Sequence, residues 1–250
     1  AERVDQQQQL DDVLIDRRAG RLDQIAVLAA HIVDDLDTGL AVGELRDFQH
    51  AFRDTGAPLH RGEDAMHLAR EVLARIAAEE KIPICQDTGF AVFFVELGQD
   101  VHLTGGDFNE AIQEGVRRGY TEGYLRKSIV KDPLERVNSN DNTPAVIHID
   151  IVPGDKIKLV FVPKGGGSEN MSAVKMLTPS QGVGGLVDFV VDTVSLVGAN
   201  PCPPLVVGVG FGGTFEKVAL LAKKALLRPL GQPNANPFYA DLEKEILKRI

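Results

Sequence analysis

The chain has 250 residues, of which 44% are hydrophobic and 25% are charged. It can therefore bury a real core, and its length fits one large or two small domains. With 36 acidic and 27 basic residues the formal charge is −9, which gives no long-range attraction for nucleic acid or an anionic membrane. We expect neither as a partner, and an anionic substrate would need a local cationic site.

The N-terminus and the lack of a long apolar run lead us to expect an ordinary cytoplasmic protein. We find no apolar run of the roughly 18 residues that a membrane-spanning helix needs. The N-terminus, with Glu2, Arg3 and Asp5, lacks the apolar stretch of a signal peptide. The two cysteines, Cys85 and Cys202, are too few and too far apart for a disulfide scaffold or a CxxC zinc site.

The first part of the chain has a helical pattern. Apolar residues recur at helical spacing between residues 22 and 36, and Gly39 is a plausible end of that helix. A second helix is predicted over about residues 63–80. We therefore expect residues 1–75 to be a mainly helical segment that serves packing or assembly.

Strands separated by glycine-rich turns follow Pro83. Residues 91–97 predict a strand, and Asp107 with Glu110 predicts a capping box that opens a helix. Residues 147–151 and 157–161 alternate in polarity on either side of a Pro-Gly-Asp turn, which predicts an antiparallel hairpin.

The last third combines helices with one more predicted strand. An apolar helix is expected over 186–197, a buried strand over 205–209 and an amphipathic helix over 215–227. The whole pattern predicts an α+β fold, in which a helical N-terminal part precedes a mixed, partly antiparallel sheet flanked by helices. We expect one domain over residues 1–250.

Two segments place a cysteine in unusual surroundings. In PICQDTG, residues 83–89, the Cys85 thiol is followed at once by an amide, a carboxylate and a hydroxyl. In NPCPP, residues 200–204, three prolines hold Cys202 on a stiff, non-helical loop. A lone cysteine is usually a small buried hydrophobe, but these neighbours favour a chemical role, and the proline loop suits a metal ligand.

Two glycine-rich segments could bind anions. Gly165, Gly166 and Gly167 lie between a strand and a short helix, where backbone N–H groups can turn towards one anion; a flexible turn is the alternative. Residues 208–213, GVGFGG, satisfy the GxGxxG dinucleotide fingerprint. The acidic residue expected roughly 20 positions later is missing, so nucleotide binding stays an alternative.

A polar stretch at residues 138–143, NSNDNT, is rich in oxygen donors. It lacks the spaced acids and the glycine of an EF-hand loop, so we interpret it as an ordinary loop and not as a calcium site.

Five segments together resemble a known family. They are PICQDTG, LRKSIV at 125–130, PKGGGSEN at 163–170, NPCPP and GVGFGGTFEK at 208–217. In this order they resemble the alpha-type region of class I, oxygen-sensitive fumarases and L-tartrate dehydratases. The resemblance covers roughly residues 76–250, which would bind the cluster and the substrate, whereas the first 75 residues match only as helices.

The resemblance implies a 4Fe-4S cluster held by three cysteine thiolates, with one iron open to substrate. Cys85 and Cys202 match the first two ligands, so we expect their sulfurs to converge on one pocket. The family's third cysteine follows a later segment that this sequence does not contain, and a beta-type subunit or C-terminal domain completes the family's site. We therefore expect little activity without those parts, and a homodimer or heterotetramer as the assembly.

The resemblance also implies roles for the polar residues. Gln86 would hydrogen-bond the substrate, Asp87 would transfer or orient a proton at its hydroxyl, and Gly165, Gly166 and Gly167 would offer N–H groups. Arg126 is our candidate for binding a substrate carboxylate, because a guanidinium can make two parallel bonds to it.

The expected activity is the reversible hydration of fumarate to L-malate, with a small dicarboxylate as substrate. An L-tartrate dehydratase alpha subunit is the alternative within the family. A nucleotide-binding protein and a non-catalytic assembly subunit are the alternatives of another class.

Overall fold

The computed structural model describes residues 13–15, 76, 79, 87–201, 205–229 and 231–250. Contacts divide the chain into a first unit, Ala1–Gly166, and a second unit, Gly167–Ile250. The helices predicted for the N-terminal part lie outside the described residues, apart from Ile76 and Glu79, which are helical. The single domain over residues 1–250 stays a prediction.

A four-stranded mixed sheet forms the centre of the first unit. Its strands are β1 (Val13–Ile15), β2 (Phe90–Gly98), β3 (Val146–Val152) and β4 (Ile157–Lys164). They lie in the order β1-β4-β2-β3, with β2 parallel to β3 and antiparallel to β4. β1 pairs antiparallel with β4. The predicted α+β class, with its mixed and partly antiparallel sheet, is confirmed.

The predicted hairpin is wrong, although both of its strands exist. β2 lies between β3 and β4, because its continuous apolar run is buried and so belongs in the middle of the sheet. The short β3–β4 connection instead passes over the end of β2. There the Gly98 N–H donates to the carbonyl of Lys156 at 2.8 Å, and a Cβ at Gly98 would lie 2.4 Å from the carbonyl oxygen of Gly154.

Helix α1 (Phe108–Glu122) covers the sheet. As predicted, Asp107 caps it, with the side-chain oxygen accepting from the Glu110 N–H at 2.9 Å. Its buried face joins β2 and β4 in one core of twelve residues. That core consists of Ala91, Phe93, Val95, Ala111, Ile112, Val116, Tyr120, Leu125, Ala145, Ile157, Leu159 and Phe161.

The second unit is helical. The short helix α2 (Gly166–Asn170) begins at the boundary residue, and α3 (Gly182–Val197), α4 (Phe215–Ala225) and α5 (Pro237–Arg249) follow. The helices predicted over 186–197 and 215–227 are thus found, as α3 and α4. The sequence interpretation missed α5, although an Asn236 cap before a proline is a usual start signal.

The strand predicted over residues 205–209 is wrong, because this segment is irregular. Its one glycine lies too close to α4 for a side chain: a Cβ at Gly208 would lie 2.3 Å from the carbonyl oxygen of Ala222. The segment thus packs against a helix, and no described strand pairs with it.

One helical stretch among the described residues, Pro179–Val197, contains α3. It is long and apolar enough to cross a membrane by length and composition alone. It has 19 residues and a mean hydropathy of 1.2, which corrects the expectation that no segment would reach this length. A single such helix is weak evidence of a membrane span. Asp188 on this helix pairs with Arg249 of α5 at 2.7 Å.

Candidate active site

The structure describes some of the predicted site residues and not others. Cys85, Gln86 and Cys202 lie outside the described residues, so the convergence of the two thiols stays a prediction. Asp87, Arg126 and the glycines at 165–167 are described.

Asp87 lies where three of the five sequence motifs meet. Its Oδ1 accepts hydrogen bonds from the Gly89 N–H at 3.1 Å and from the Ser128 hydroxyl at 3.3 Å. Its Oδ2 accepts from the Gly166 N–H at 2.9 Å. A carboxylate offers about four acceptor positions, so these donors fix its orientation, and the described residues leave one position for another group. The Gly166 N–H thus donates to Asp87, and the predicted substrate contacts of Gly165, Gly166 and Gly167 stay predictions.

Sheet pairing brings the first and third motifs together. β2 follows PICQDTG directly, β4 leads into PKGGGSEN, and their antiparallel register places Phe90 opposite Lys164. Gly89 permits the close approach: its φ is +63°, and a Cβ there would lie 2.0 Å from the Lys164 carbonyl oxygen. Any larger residue at position 89 would push the two motifs apart.

Tyr120 of α1 forms a hydrogen bond to the loop that carries Asp87. It is fully buried, and its hydroxyl donates to the Thr88 carbonyl at 3.2 Å. Burial raises the pKa of the Tyr120 phenol, the Thr88 bond works against that rise, and the negative charge of Asp87 adds to it. Tyr120 is therefore a neutral donor at physiological pH.

The second motif lies beside the first. The Thr88 hydroxyl donates to the Arg126 carbonyl at 3.2 Å, so the residue after Asp87 holds the backbone of the residue proposed to bind a carboxylate. The Arg126 side chain is exposed. Within the described part of the chain no hydrogen bond or ion pair occupies its guanidinium, which suits a group that binds an anionic ligand.

Asn142 links these two motifs and is the site residue that sequence reasoning missed. It is fully buried with φ +60°. Its Oδ1 accepts from the Ser128 N–H at 2.8 Å, and its Nδ2 donates to the Gly89 carbonyl at 3.0 Å. The available signal was the run of Asn and Asp at 138–142, since these residues tolerate the left-handed conformation.

The loop that carries Asn142 is held on both sides. Asn138 Nδ2 donates to the Lys127 carbonyl at 2.9 Å. Asp141 accepts from the Thr143 hydroxyl at 2.7 Å and from Arg117 Nε at 3.2 Å. Partial burial alone would raise the pKa of Asp141, but the bonds from Thr143 and Arg117 outweigh it and lower that pKa. The loop at residues 138–143, interpreted from the sequence as an ordinary loop, therefore stabilises the LRKSIV segment.

The second unit holds its own motifs by different contacts. Glu169, from the third motif, accepts from Lys223 Nζ of α4 at 2.6 Å on both carboxylate oxygens. A Cβ at Gly210 would lie 2.5 Å from the Ala222 nitrogen. Close packing against α4 thus gives Gly208 and Gly210 of the GVGFGG segment a structural reason that needs no nucleotide.

A groove of about 590 Å³ lies between the segment after α2 and helix α3. Lys175 and Asp192 line it together with apolar side chains, and Lys175 Nζ lies 5.8 Å from the centre of the Phe189 ring. The sequence interpretation did not predict this groove.

No group of three or more His, Cys, Asp or Glu side chains that could hold a metal occurs among the described residues. The described donors alone therefore do not make a metal site. The soft thiol ligands that suit an iron–sulfur cluster belong to Cys85 and Cys202, outside the described part.

Comparison with known proteins identifies one family and several relatives. The family model described as fumarate hydratase (Fumerase) matches residues 50–250. A putative L(+)-tartrate dehydratase subunit alpha from Methanocaldococcus jannaschii is 42% identical over 182 residues, which cover 70% of this chain and 64% of that protein. The L(+)-tartrate dehydratase subunit alpha of Escherichia coli K12 is 36% identical over 165 residues, 64% of this chain and 54% of that protein.

The chain thus spans less than two thirds of the length of these relatives. The family match extends well upstream of PICQDTG and includes all five motifs. This chain therefore belongs to the class I fumarase and L-tartrate dehydratase family, as a member of its alpha type.

Proposed function

We propose that this protein is the alpha-type part of a hydro-lyase that dehydrates L-tartrate. The observation that carries the proposal is the position of Asp87, whose carboxylate is held by donors from three family motifs at once. Three separate stretches of sequence converge on one oriented carboxylate, and a positioned carboxylate can transfer a proton.

The choice of tartrate rests on the named relatives. Those cited above are alpha subunits of L(+)-tartrate dehydratase, one of them putative. The description of the family model supports fumarate hydration as the second candidate. The two substrates are both C4 dicarboxylates, so Arg126 and Asp87 would serve either of them.

Dehydration breaks a C–O bond and the C–H bond on the neighbouring carbon, and forms a C=C bond between the two carbons. Hydroxide is a poor leaving group and must be stabilised as it departs. An iron–sulfur cluster with one open iron would supply Lewis-acid stabilisation of the departing oxygen. From tartrate the product is an enol, which rearranges to the 2-oxo acid oxaloacetate.

The described residues would bind and orient the substrate. Arg126 offers an exposed guanidinium for one substrate carboxylate, and this local charge matters because the chain carries a net charge of −9. Asp87 would accept or deliver a proton at Oδ2, the oxygen that accepts only one of the described donors. Gln86, next in sequence, would hydrogen-bond the substrate.

Cys85 and Cys202 would provide two of the thiolates that hold the cluster. We propose that a third thiolate completes the cluster ligands, as the family resemblance implies, and that a beta-type partner completes the site, since the relatives are named as alpha subunits. The working assembly would be a homodimer or a heterotetramer, and we propose a cytoplasmic location.

The test compares the two substrates on one enzyme. The full-length alpha chain is co-expressed with its beta-type partner and reconstituted anaerobically with iron and sulfide. Oxaloacetate formation from L-tartrate and malate formation from fumarate are then measured side by side. We expect kcat/KM for tartrate to exceed that for fumarate by at least about tenfold, a difference of about 1.4 kcal/mol.

The reverse ranking would establish the fumarate alternative. A complex that holds its full iron and sulfide but acts on neither substrate would contradict the enzyme proposal and favour a non-catalytic assembly subunit. Saturable binding of NAD or ATP in a thermal-shift screen would favour the nucleotide-binding alternative.

A further inference from the structure

We propose that Asn142 is a positioning residue of this active site, whose carboxamide sets the orientation of the Asp87 carboxylate and the course of the Arg126 segment. This inference rests on the proposed function, because it gives Asn142 a part in that reaction. No family motif singled out in the sequence contains Asn142.

The first step of the argument is the pair of bonds that the carboxamide makes. One end accepts from the Ser128 N–H at 2.8 Å and the other donates to the Gly89 carbonyl at 3.0 Å. Each partner is itself a donor to Asp87 Oδ1, through the Ser128 hydroxyl and the Gly89 N–H. Asn142 thus holds two of the three groups that hold Asp87.

The second step is the link to Gly166. Asp87 Oδ2 accepts from the Gly166 N–H at 2.9 Å. The orientation of the Asp87 carboxylate therefore affects the position of the Gly166 backbone. We define the Asp87 network as Asp87, Gly89, Ser128, Asn142 and Gly166. A disturbance at position 142 should reach Gly166 through Ser128 and Asp87.

The third step is the reason for asparagine. Position 142 has φ +60° and is fully buried, which disfavours most side chains. Glycine fits the backbone but has no amide. Aspartate keeps an acceptor for the Ser128 N–H but sets a second acceptor against the Gly89 carbonyl. Asparagine combines the conformation with one acceptor and one donor at this distance.

The chain contains a matched control. Asn140 lies two residues away with φ +70° and an exposed side chain. Asn140→Gly and Asn142→Gly therefore make the same chemical change in the same backbone region. Only the second removes an amide that holds the network.

The experiment measures amide hydrogen exchange in the full-length alpha chain within its complex, resolved to single residues by fragmentation mass spectrometry. We expect Asn142→Gly to speed exchange at the Ser128 and Gly166 amides by at least about tenfold, the effect of losing one hydrogen bond of about 1.4 kcal/mol. Asn140→Gly should leave both rates within about twofold of the parent. This readout does not require the enzyme to be active.

Kinetics distinguish positioning from plain destabilisation. In the reconstituted complex, at a temperature where all variants are folded, Asn142→Gly should lower kcat/KM for the preferred substrate by about 10- to 100-fold. Asn142→Asp keeps the bond to Ser128 but sets an acceptor against the Gly89 carbonyl, so it should also lower kcat/KM. A purely structural role predicts equal specific activity for all folded variants.

Unchanged exchange at Gly166 together with unchanged kcat/KM in Asn142→Gly would overturn the inference. Should that variant fail to fold, Ser128→Ala tests the next link, and an unaltered Gly166 exchange rate there would also overturn it. A third outcome is that Asn142→Gly alters exchange while the parent complex shows neither hydro-lyase activity. The coupling would then stand, and the proposed function would be wrong.

Discussion

The two units hold their motifs by different means. In the first unit, three motifs meet at Asp87 above a core of twelve buried residues, several of them fully buried. In the second unit, the described core consists of Val187, Val190 and Ile246, with a few partly buried neighbours. There an ion pair and close glycine contacts hold two motifs against α4.

This difference has an energetic consequence. A fully buried large apolar side chain stabilises a fold by about 1.5–3 kcal/mol. The core of the first unit therefore stabilises the part of the fold that carries the Asp87 network. The second unit has fewer such residues among those described. We expect its backbone amides to exchange faster, because local opening exposes less apolar surface there.

The strongest test of the first unit is Gly89→Ala. An added Cβ would meet the Lys164 carbonyl oxygen at 2.0 Å in a backbone with φ +63°, so the loop cannot keep its place. We expect a loss of at least about 3 kcal/mol in the free energy of unfolding, measured by urea denaturation.

Gly154→Ala is the matched control, because Gly154 has φ +111° but nothing within 4 Å of an added Cβ. It should cost about 1–2 kcal/mol, from backbone strain alone. Equal losses in the two variants would show that the contact with Lys164 is unimportant.

A pair of isoleucines compares the two cores directly. Ile112 is fully buried in the large core, whereas Ile246 is 8% exposed in the small one. We expect Ile112→Ala to cost about 3–4 kcal/mol and Ile246→Ala about 1–2 kcal/mol, because fewer neighbours surround the second cavity. The comparison between the units is wrong if the two substitutions cost the same in urea titrations.

In the second unit, the ion pair between Glu169 and Lys223 can be removed by Lys223→Met. Both side chains are about 30% exposed, so solvent screening limits the loss in the free energy of unfolding to about 1 kcal/mol. Lys217→Met, on the exposed side of the same helix, should change the melting temperature little. A larger loss in Lys217→Met would remove the special role assigned to the pair.

The smallest expected effect concerns Asp141, whose pKa is lowered in the folded protein. A carboxylate of this kind stabilises the fold above its unfolded pKa, and that contribution is lost as pH falls through the folded value. Asp141→Asn should therefore cost under about 1 kcal/mol at pH 7. The gap from the parent should close as pH falls from the ordinary aspartate range through the lower pKa of the folded protein, and a gap that widens in acid would contradict this account.

Local patterns predicted the elements whose signals are local. The Asp107 cap, the helix after it and the strands β2, β3 and β4 all follow from capping residues and apolar periodicity. The pairing of the strands does not, since the insertion of β2 between β3 and β4 depends on contacts far apart in sequence. The apolar residues 205–209 showed the same limit, because their partner is a helix.

The motifs identified most of the described site, but not its support. The sequence marked Asp87 and Arg126 as chemical residues, and the structure brings their segments together. It could not show that Asn142 supports both, because burial and a positive φ are properties of the folded chain. Nor could it show that the Gly166 N–H is directed to Asp87.

The central claim is that Asp87 handles a proton in a hydro-lyase reaction, and Asp87→Asn in the complete, anaerobically reconstituted complex tests it most directly. Turnover is to be measured together with bound iron and sulfide. We expect turnover to fall by about 10²- to 10⁴-fold while cluster content stays near that of the parent complex. A parallel loss of turnover and cluster, or a variant that keeps its turnover, would contradict the claim.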